Sequence, residues 1–343
     1  MVHRQAVSVD ALAELVDEIL QKAGLSALHA GALMRVIVAG ERDACKSHGV
    51  YRLEGCLRTI KAGKVETHAN PVFSADEGAI LRIDADGGFA NAAFELGAPR
   101  LVERAHELGM AALVINDCTH FSALWPEIEA LTDKGVAAMA MCPSYASVAP
   151  SGGTAPLLGT NPFAFGWPRK DQPPYVFDFA TSVAARGEIE LHRQAGKPLP
   201  EGWAIDREGN PTTDPAAALE GAMLPFGSHK GSAISTMIEL LAGVMIGDLT
   251  SPEALEALGT TTLAPAHGEL ILAFDPTRFA NGRPGDPFER AETLFEAIAG
   301  QGARLPSQRR FAARKKSLTE GIELSAEEWS MLERLKEKGL AAV

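Results

Sequence analysis

A chain of 343 residues, 46% apolar and 22% charged, has the composition of a globular protein and is long enough for about two domains. A formal charge of −12 excludes a nucleic-acid binder. The one dense basic cluster, Arg309-Arg310 with Arg314-Lys315-Lys316, suits a single phosphate.

Four scattered cysteines with no C-x-x-C pair exclude a disulfide framework or zinc ribbon and point to a reducing cytoplasm. Asp10, Glu14, Asp17 and Glu18 exclude a signal peptide at the start of the chain. Pro143, Pro150, Pro156 and Pro162 break the longest uncharged run, so no membrane span is expected.

Ser8 is placed to cap a helix whose Leu12, Leu15, Val16, Ile19 and Leu20 share a face and which Gly24 ends. Ser26 opens a second helix through Val36, Ile37 and Val38. Residues 51–70 mix helix and turn, 79–83 form a short strand, and 91–108 a helix that Pro99 kinks or interrupts. The period then changes. Apolar strands at 110–116 and 136–142 flank a helix at 122–134, and strand, crossover and strand alone predict a parallel α/β unit.

Residues 152–168 read as loop, 176–179 as a strand, 183–194 as a helix and 196–215 as a long loop. An apolar helix follows at 229–246, then a last strand at 269–274. Past a linker at 278–287 the chain is helical again, at 288–299, from Pro306, and in a final helix opened by the capping box Ser325-Ala-Glu-Glu328. Helices at both ends and strands between them divide the chain into a first helical part (1–115), a sheet domain (116–280) and a second helical part (281–343).

Chemistry is densest in Asp43-Ala-Cys-Lys-Ser-His-Gly-Val-Tyr-Arg52. Ser47, His48, Gly49 and Arg52 offer a hydroxyl, a proton donor near neutral pH, a flexible joint and a fork for a carboxylate. A helix end with Gly49 as its stop accounts for the same residues. Asn116 to Trp125 joins a strand end to a helix start, where amides favour a pyrophosphate, or where Thr119 simply caps the helix and His120 is a surface residue. Leu158-Gly-Thr160-Asn-Pro162 and Asp178-Phe-Ala180-Thr-Ser are small polar loops shaped for binding or for turns.

Arg186-Gly-Glu188 is a surface ion pair unless Glu188 meets His48 and fixes its tautomer. Phe226-Gly-Ser-His229-Lys-Gly231 sets a lysine at a helix start without a P-loop, and no G-x-G-x-x-G occurs. His48, His120 and His229 lack i, i+4 histidine partners and H-E-x-x-H is missing, so no metal site is expected.

Ser-His-Gly at 47–49 with Arg52, His-Phe at 120–121, Gly-Thr-Asn-Pro at 159–162, Asp-Phe-Ala-Thr-Ser at 178–182 and Gly-Ser-His-Lys-Gly at 227–231 occur in that order. Together they resemble the malate/L-lactate dehydrogenase type 2 family, also called sulfolactate-dehydrogenase-like. His120-Phe-Ser-Ala-Leu-Trp-Pro126 and Arg304-Leu-Pro-Ser-Gln-Arg-Arg310 resemble its Δ1-piperideine-2-carboxylate/Δ1-pyrroline-2-carboxylate reductases.

The resemblance implies what periodicity does not. The fold would be α/β (α+β), with a non-Rossmann nicotinamide-binding domain of largely antiparallel sheet inserted in a discontinuous helical domain, acting as a homodimer. The implied activity is reduction of cyclic imino acids, to L-pipecolate or L-proline, with NADPH rather than NADH. His48 would be the proton donor and Ser47 its relay partner. Glu188 stands where the relay usually has Asp, one methylene longer. Arg52, Thr160, Arg186 and Gly187 would hold substrate.

The implied cofactor contacts are His120, Phe121, Ser122, Ala123 and Leu124; Asp178, Phe179 and Ala180; His229 and Lys230; and Ala303, Arg304, Leu305, Pro306, Ser307, Gln308 and Arg309. Arg304, Arg309 or Arg310 would clamp a 2′-phosphate. Two alternatives stay open: the same fold oxidising a 2-hydroxy acid (malate, lactate, sulfolactate or ureidoglycolate), and a non-catalytic dinucleotide-binding protein.

Overall fold

In a computed structural model, which describes residues 5–343, the two helical ends of the chain meet. Ser8 Oγ accepts from the Ala11 amide (3.1 Å) and opens α1 (Val9–Lys22); Ser26 opens α2 (Ala27–Arg42). With α3 (Arg52–Lys61) and the final helix Ala326–Lys338 they bury Leu12, Ile19, Leu33, Ile37, Leu53, Leu57, Leu332 and Leu335 in one cluster. The strand Gln5–Val7 pairs antiparallel with Ile322–Leu324 and ties the two ends together.

The other layer is a seven-stranded sheet: β1 (Val72–Glu77), β2 (Ile80–Asp84), β3 (Met110–Thr119), β4 (Ala137–Met141), β5 (Phe163–Trp167), β6 (Tyr175–Phe179) and β7 (Ala266–Phe274). Its order is β1-β2-β3-β7-β4-β5-β6. Only the β2–β3 pair is parallel; the rest are antiparallel.

The strand–helix–strand unit at 110–142 therefore does not make the parallel pair that its pattern predicts. β7, arriving from well over a hundred residues downstream, lies between β3 and β4 and runs against both. Alternate residues of β3 serve opposite faces. Leu113 and Ile115 pack towards α4 (Ala90–Leu108) and α5 (Trp125–Thr132), while Val114 packs towards α7 (His229–Glu239) with Ile238, Ala242 and Leu270.

Three further differences have local causes. α4 runs through Pro99 without a break, because its buried face is anchored on the sheet: a Cβ added at Gly97 would lie 2.6 Å from Leu113 Cδ2. The helix at 229–246 gives way after Glu239 to a π-helical turn, Leu240–Val244. β1 escaped notice because an edge strand with a mostly exposed pattern has no alternation, and β5 because it sits in the proline-rich tract. The sheet thus takes in β1 and β2, which a boundary at 115/116 leaves in the helical part. Among the described residues no helix is long and apolar enough to cross a membrane.

Candidate active site

Helix α2 stops at Arg42, not at Gly49. Asp43 follows as its C-cap, Ala44 turns into the left-handed region (φ 57°), and Lys46–His48 form one 3-10 turn. Gly49 is there for room rather than rotation, since its φ is −89°. A Cβ at Gly49 would fall 2.0 Å from Glu41 Oε1, and one at Gly40 would fall 2.6 Å from the His48 carbonyl oxygen. Glu41 is buried, accepts from the Val50 amide (2.9 Å) and pairs with Lys46 (2.5 Å), so it pins both ends of the turn.

That turn sets Ser47 Oγ 3.1 Å from His48 Nδ1, and Arg52 Nε donates to the Ser47 carbonyl (2.6 Å). Burial, then the Arg52 cation, push the His48 imidazole down to about 3. It is neutral at physiological pH.

Ser47, His48, Arg52, Thr160, Arg186 and Gly187 line one cavity of about 880 Å³. His120, Phe121, Ser122, Ala123, Asp178, Phe179 and Ala180 line the same cavity. Leu124 sits behind that wall, fully buried. His229 and Lys230 are exposed, close to Phe226, whose ring meets Phe179 edge-on at 5.6 Å. The 303–309 segment runs beside β6, where Ser307 Oγ donates to the Val176 carbonyl (2.6 Å). Within it Leu305 is buried, Pro306 is half-buried, and Ala303, Arg304, Gln308 and Arg309 are exposed.

Several expectations fail on geometry. Glu188 is exposed on α6 (Arg186–Gln194) and does not line the cavity; the acid of that helix that does is Glu190. The structure does not bring Glu188 to His48. The amides at the start of α5 are not an anion site, because Asp178 Oδ2 already accepts from Leu124 (2.8 Å) and Trp125 (3.0 Å). Nor is Thr119 that helix's cap, and His120 is buried rather than on the surface. Burial raises Asp178 to about 6 against those two amide bonds and the Arg310 charge.

Arg310 is not free for a phosphate. It is buried over the Trp125 ring (3.9 Å to the centroid) and pairs with Asp43 (3.1 Å) and Glu129, and Arg314 pairs with the same two acids. Arg304 and Arg309 have no ion pair among the described residues. Asn161, also buried, is a lock between loops: it donates to Ser235 Oγ (2.9 Å) and Glu239 Oε1 (2.7 Å).

Sequence reasoning missed Tyr51, Tyr145, Arg193, His267 and residues 261–265 of the lining. Tyr51 adjoins Arg52 and was within reach of inspection; 261–265 carry no chemical signal. The volume is that of a small-molecule or cofactor site, and Phe121 and Phe179 beside polar groups suit a flat nicotinamide ring with a small acid.

The chain belongs to the malate/L-lactate dehydrogenase family, whose model matches residues 7–333, and is by that membership an oxidoreductase. That family implies a nicotinamide cofactor. More particular likenesses come from single proteins. The chain is 72% identical over 338 residues to the Δ1-pyrroline-2-carboxylate reductase of Agrobacterium fabrum, covering 98% of each chain. It is 54% identical to the Δ1-pyrroline-2-carboxylate/Δ1-piperideine-2-carboxylate reductase of Pseudomonas aeruginosa, over 92% of this chain and 95% of that one. The crystal structure of Δ1-piperideine-2-carboxylate reductase from Pseudomonas syringae pv. tomato superposes with a TM-score of 0.91 at 38% identity, covering 96% of this chain and 99% of that one.

Proposed function

We propose that this chain reduces Δ1-pyrroline-2-carboxylate to L-proline, and the six-membered Δ1-piperideine-2-carboxylate to L-pipecolate, with NADPH. The observation that carries the proposal is that the Ser47–His48 pair and Arg52 share one cavity with Thr160, Arg186 and Gly187. Relatives at 72% and 54% identity that bear those substrates in their names support it.

Arg52 spends its Nε on the Ser47 carbonyl, so its two terminal nitrogens are left to grip the substrate carboxylate. Gripping it there presents one face of the C=N bond and sets the ring nitrogen towards His48. When bound, the nicotinamide would supply a hydride to the imine carbon; the C=N π pair would become the nitrogen's lone pair, and the proton would sit on the nitrogen's in-plane pair.

His48 is the residue proposed to deliver that proton. Burial, then the Arg52 charge, keep the imidazole neutral in the free chain. The carboxylate offsets only the second, and the imine nitrogen is itself basic, so imidazole and nitrogen are proposed to share one proton in the complex. A carbonyl oxygen brings no such proton, which favours the imine over a 2-oxo acid. Ser47 holds Nδ1, and Glu188 is left out of the relay.

NADPH is preferred to NADH because Arg304 and Arg309 stand exposed beside the cofactor-facing strand β6. The sheet is proposed as a non-Rossmann cofactor module set in a discontinuous helical one, with its edge nearer 72 than 116. A homodimer is proposed on the apolar strip Met237, Leu240, Val244 and Met245, which is largely exposed. Four free cysteines fit a cytoplasmic setting.

The test is turnover of both cyclic imines against pyruvate and oxaloacetate, each with NADPH and with NADH. Preference for the imines and NADPH is expected. Turnover of oxo acids alone overturns the substrate assignment.

A further inference from the structure

Behind His120 lie two carboxylates that no step above uses, Glu127 on α5 and Glu269 on β7, 2% and 0% exposed. His120 Nε2 faces both, 3.7 Å from Glu269 Oε2 and 4.0 Å from Glu127 Oε1. Those distances are too long for hydrogen bonds. No other described residue donates a hydrogen bond to any of the four carboxylate oxygens; the two carboxyls have only each other, and burial pushes both well up from the usual carboxylate range. Ionised acids left like this in a protein interior are strongly unfavourable, so something must compensate them.

We propose that His120 Nε2, Glu127 and Glu269 form a structural site for one divalent transition-metal ion, for which Zn²⁺ is the probe. A zinc ion about 2.0–2.2 Å from nitrogen and oxygen ligands holds them roughly 3.4 Å apart in a tetrahedron. Here the nitrogen stands 3.7 and 4.0 Å from the two oxygens, and all three atoms lie within 4.8 Å of one another, so the side chains must close in around the ion. Ser122 Oγ, 3.5 Å from the same nitrogen and held by a hydrogen bond from Asn91 (3.1 Å), is the nearest group to serve as a fourth ligand.

The tautomer also fits. Cys142 Sγ lies 3.9 Å from His120 Nδ1, so Nδ1 can carry the proton and leave the Nε2 lone pair for the ion. The other grouping around this ring, His120 with Cys142 and His267, would use the opposite ring nitrogen, Nδ1, and would leave the two acids without a cation. A proton shared by the two acids is the competing arrangement. It would bridge one pair of oxygens and leave the imidazole facing the acids with no bond, whereas a cation engages all three groups.

The ligands come from the loop after β3, from α5 and from β7, which is why no histidine spacing in the sequence announced them. An ion can enter through the cavity that His120 lines. Its place is to orient His120 and brace the wall beside Phe121 and Ser122; it takes no part in hydride transfer.

The full chain, produced in zinc-supplemented medium and freed of loose metal with a weak chelator, should retain about one zinc per chain by mass spectrometry. Glu127→Gln/Glu269→Gln should retain roughly a tenth of that or less. Crystals measured at the zinc edge should show an anomalous peak between His120 Nε2 and the two carboxyls. If the double variant does not fold, the single Glu269→Gln variant and that peak decide. Zinc below about a tenth of an equivalent in the unmodified protein overturns the site and leaves the shared proton in its place. Equal zinc in the glutamine variant, or a peak elsewhere, overturns it too. None of these readouts depends on which substrate the enzyme reduces.

Discussion

Replacing Gly49 with alanine tests how the Ser47–His48 turn is held. The added methyl carbon would stand 2.0 Å from Glu41 Oε1, 2.5 Å from its Cδ and 2.8 Å from its Cγ, all inside contact distance. Glu41 cannot swing away cheaply, because it is buried and holds the Val50 amide and Lys46. Overpacking costs ~1–3 kcal/mol, and loosening a buried hydrogen bond adds ~1–3 kcal/mol, so a loss of about 2–6 kcal/mol is expected.

For a chain of this length that corresponds to a fall of roughly 3–8 °C in Tm. The turn can relieve the clash only by moving His48, and a displacement near 1 Å lowers kcat on the order of 10²-fold. Thermal unfolding and imine turnover read the two effects. Gly300→Ala is the control: nothing lies within 4 Å of its added carbon, and neither readout should fall. Wild-type Tm and kcat in Gly49→Ala would refute the claim that Gly49 is required for close approach to Glu41.

Four other outcomes follow from the site. His48→Ala should lose on the order of 10²–10⁴ in kcat while NADPH fluorescence still reports binding; near-normal turnover removes His48 from the mechanism. Arg52→Lys should raise KM for the imino acid about tenfold or more, since an ammonium lacks the two-pronged fork, and an unchanged KM reassigns the carboxylate. Arg304→Ala/Arg309→Ala should weaken NADPH but not NADH; an equal loss for both would mean that neither side chain meets a 2′-phosphate. Asp178, raised to about 6 from an ordinary 3.8, stays protonated in the folded chain at pH values where the unfolded chain has released its proton. Stability from this group is therefore fullest below about pH 4 and falls by about 2–3 kcal/mol as the pH rises to 6. Asp178→Asn should remove that slope, so Tm of the variant relative to wild type should rise between pH 4.5 and 7; a constant difference counts against it.

The sequence by itself determined the local devices and the parts list. Ser8, Ser26 and the Ser325–Glu328 capping box each set a helix start within a few residues, because a cap acts on amides two or three positions away. The early turn could be recognised because Ser47, His48 and Arg52 are neighbours in the chain and work as neighbours in space.

What only the tertiary structure decided was where distant segments meet. β7 slips between β3 and β4, a choice of register and order that no local pattern encodes. Asp178 takes amides more than fifty residues away, and Arg310 is neutralised by Asp43 from the far end of the chain. Each turns a residue that looked available for a ligand into one already engaged. The converse holds for Glu127 and Glu269: unremarkable in a helix and a strand, they become a buried couple with no other donor only when the sheet brings them to His120. Side-chain identity is local, but its free partners are fixed by packing.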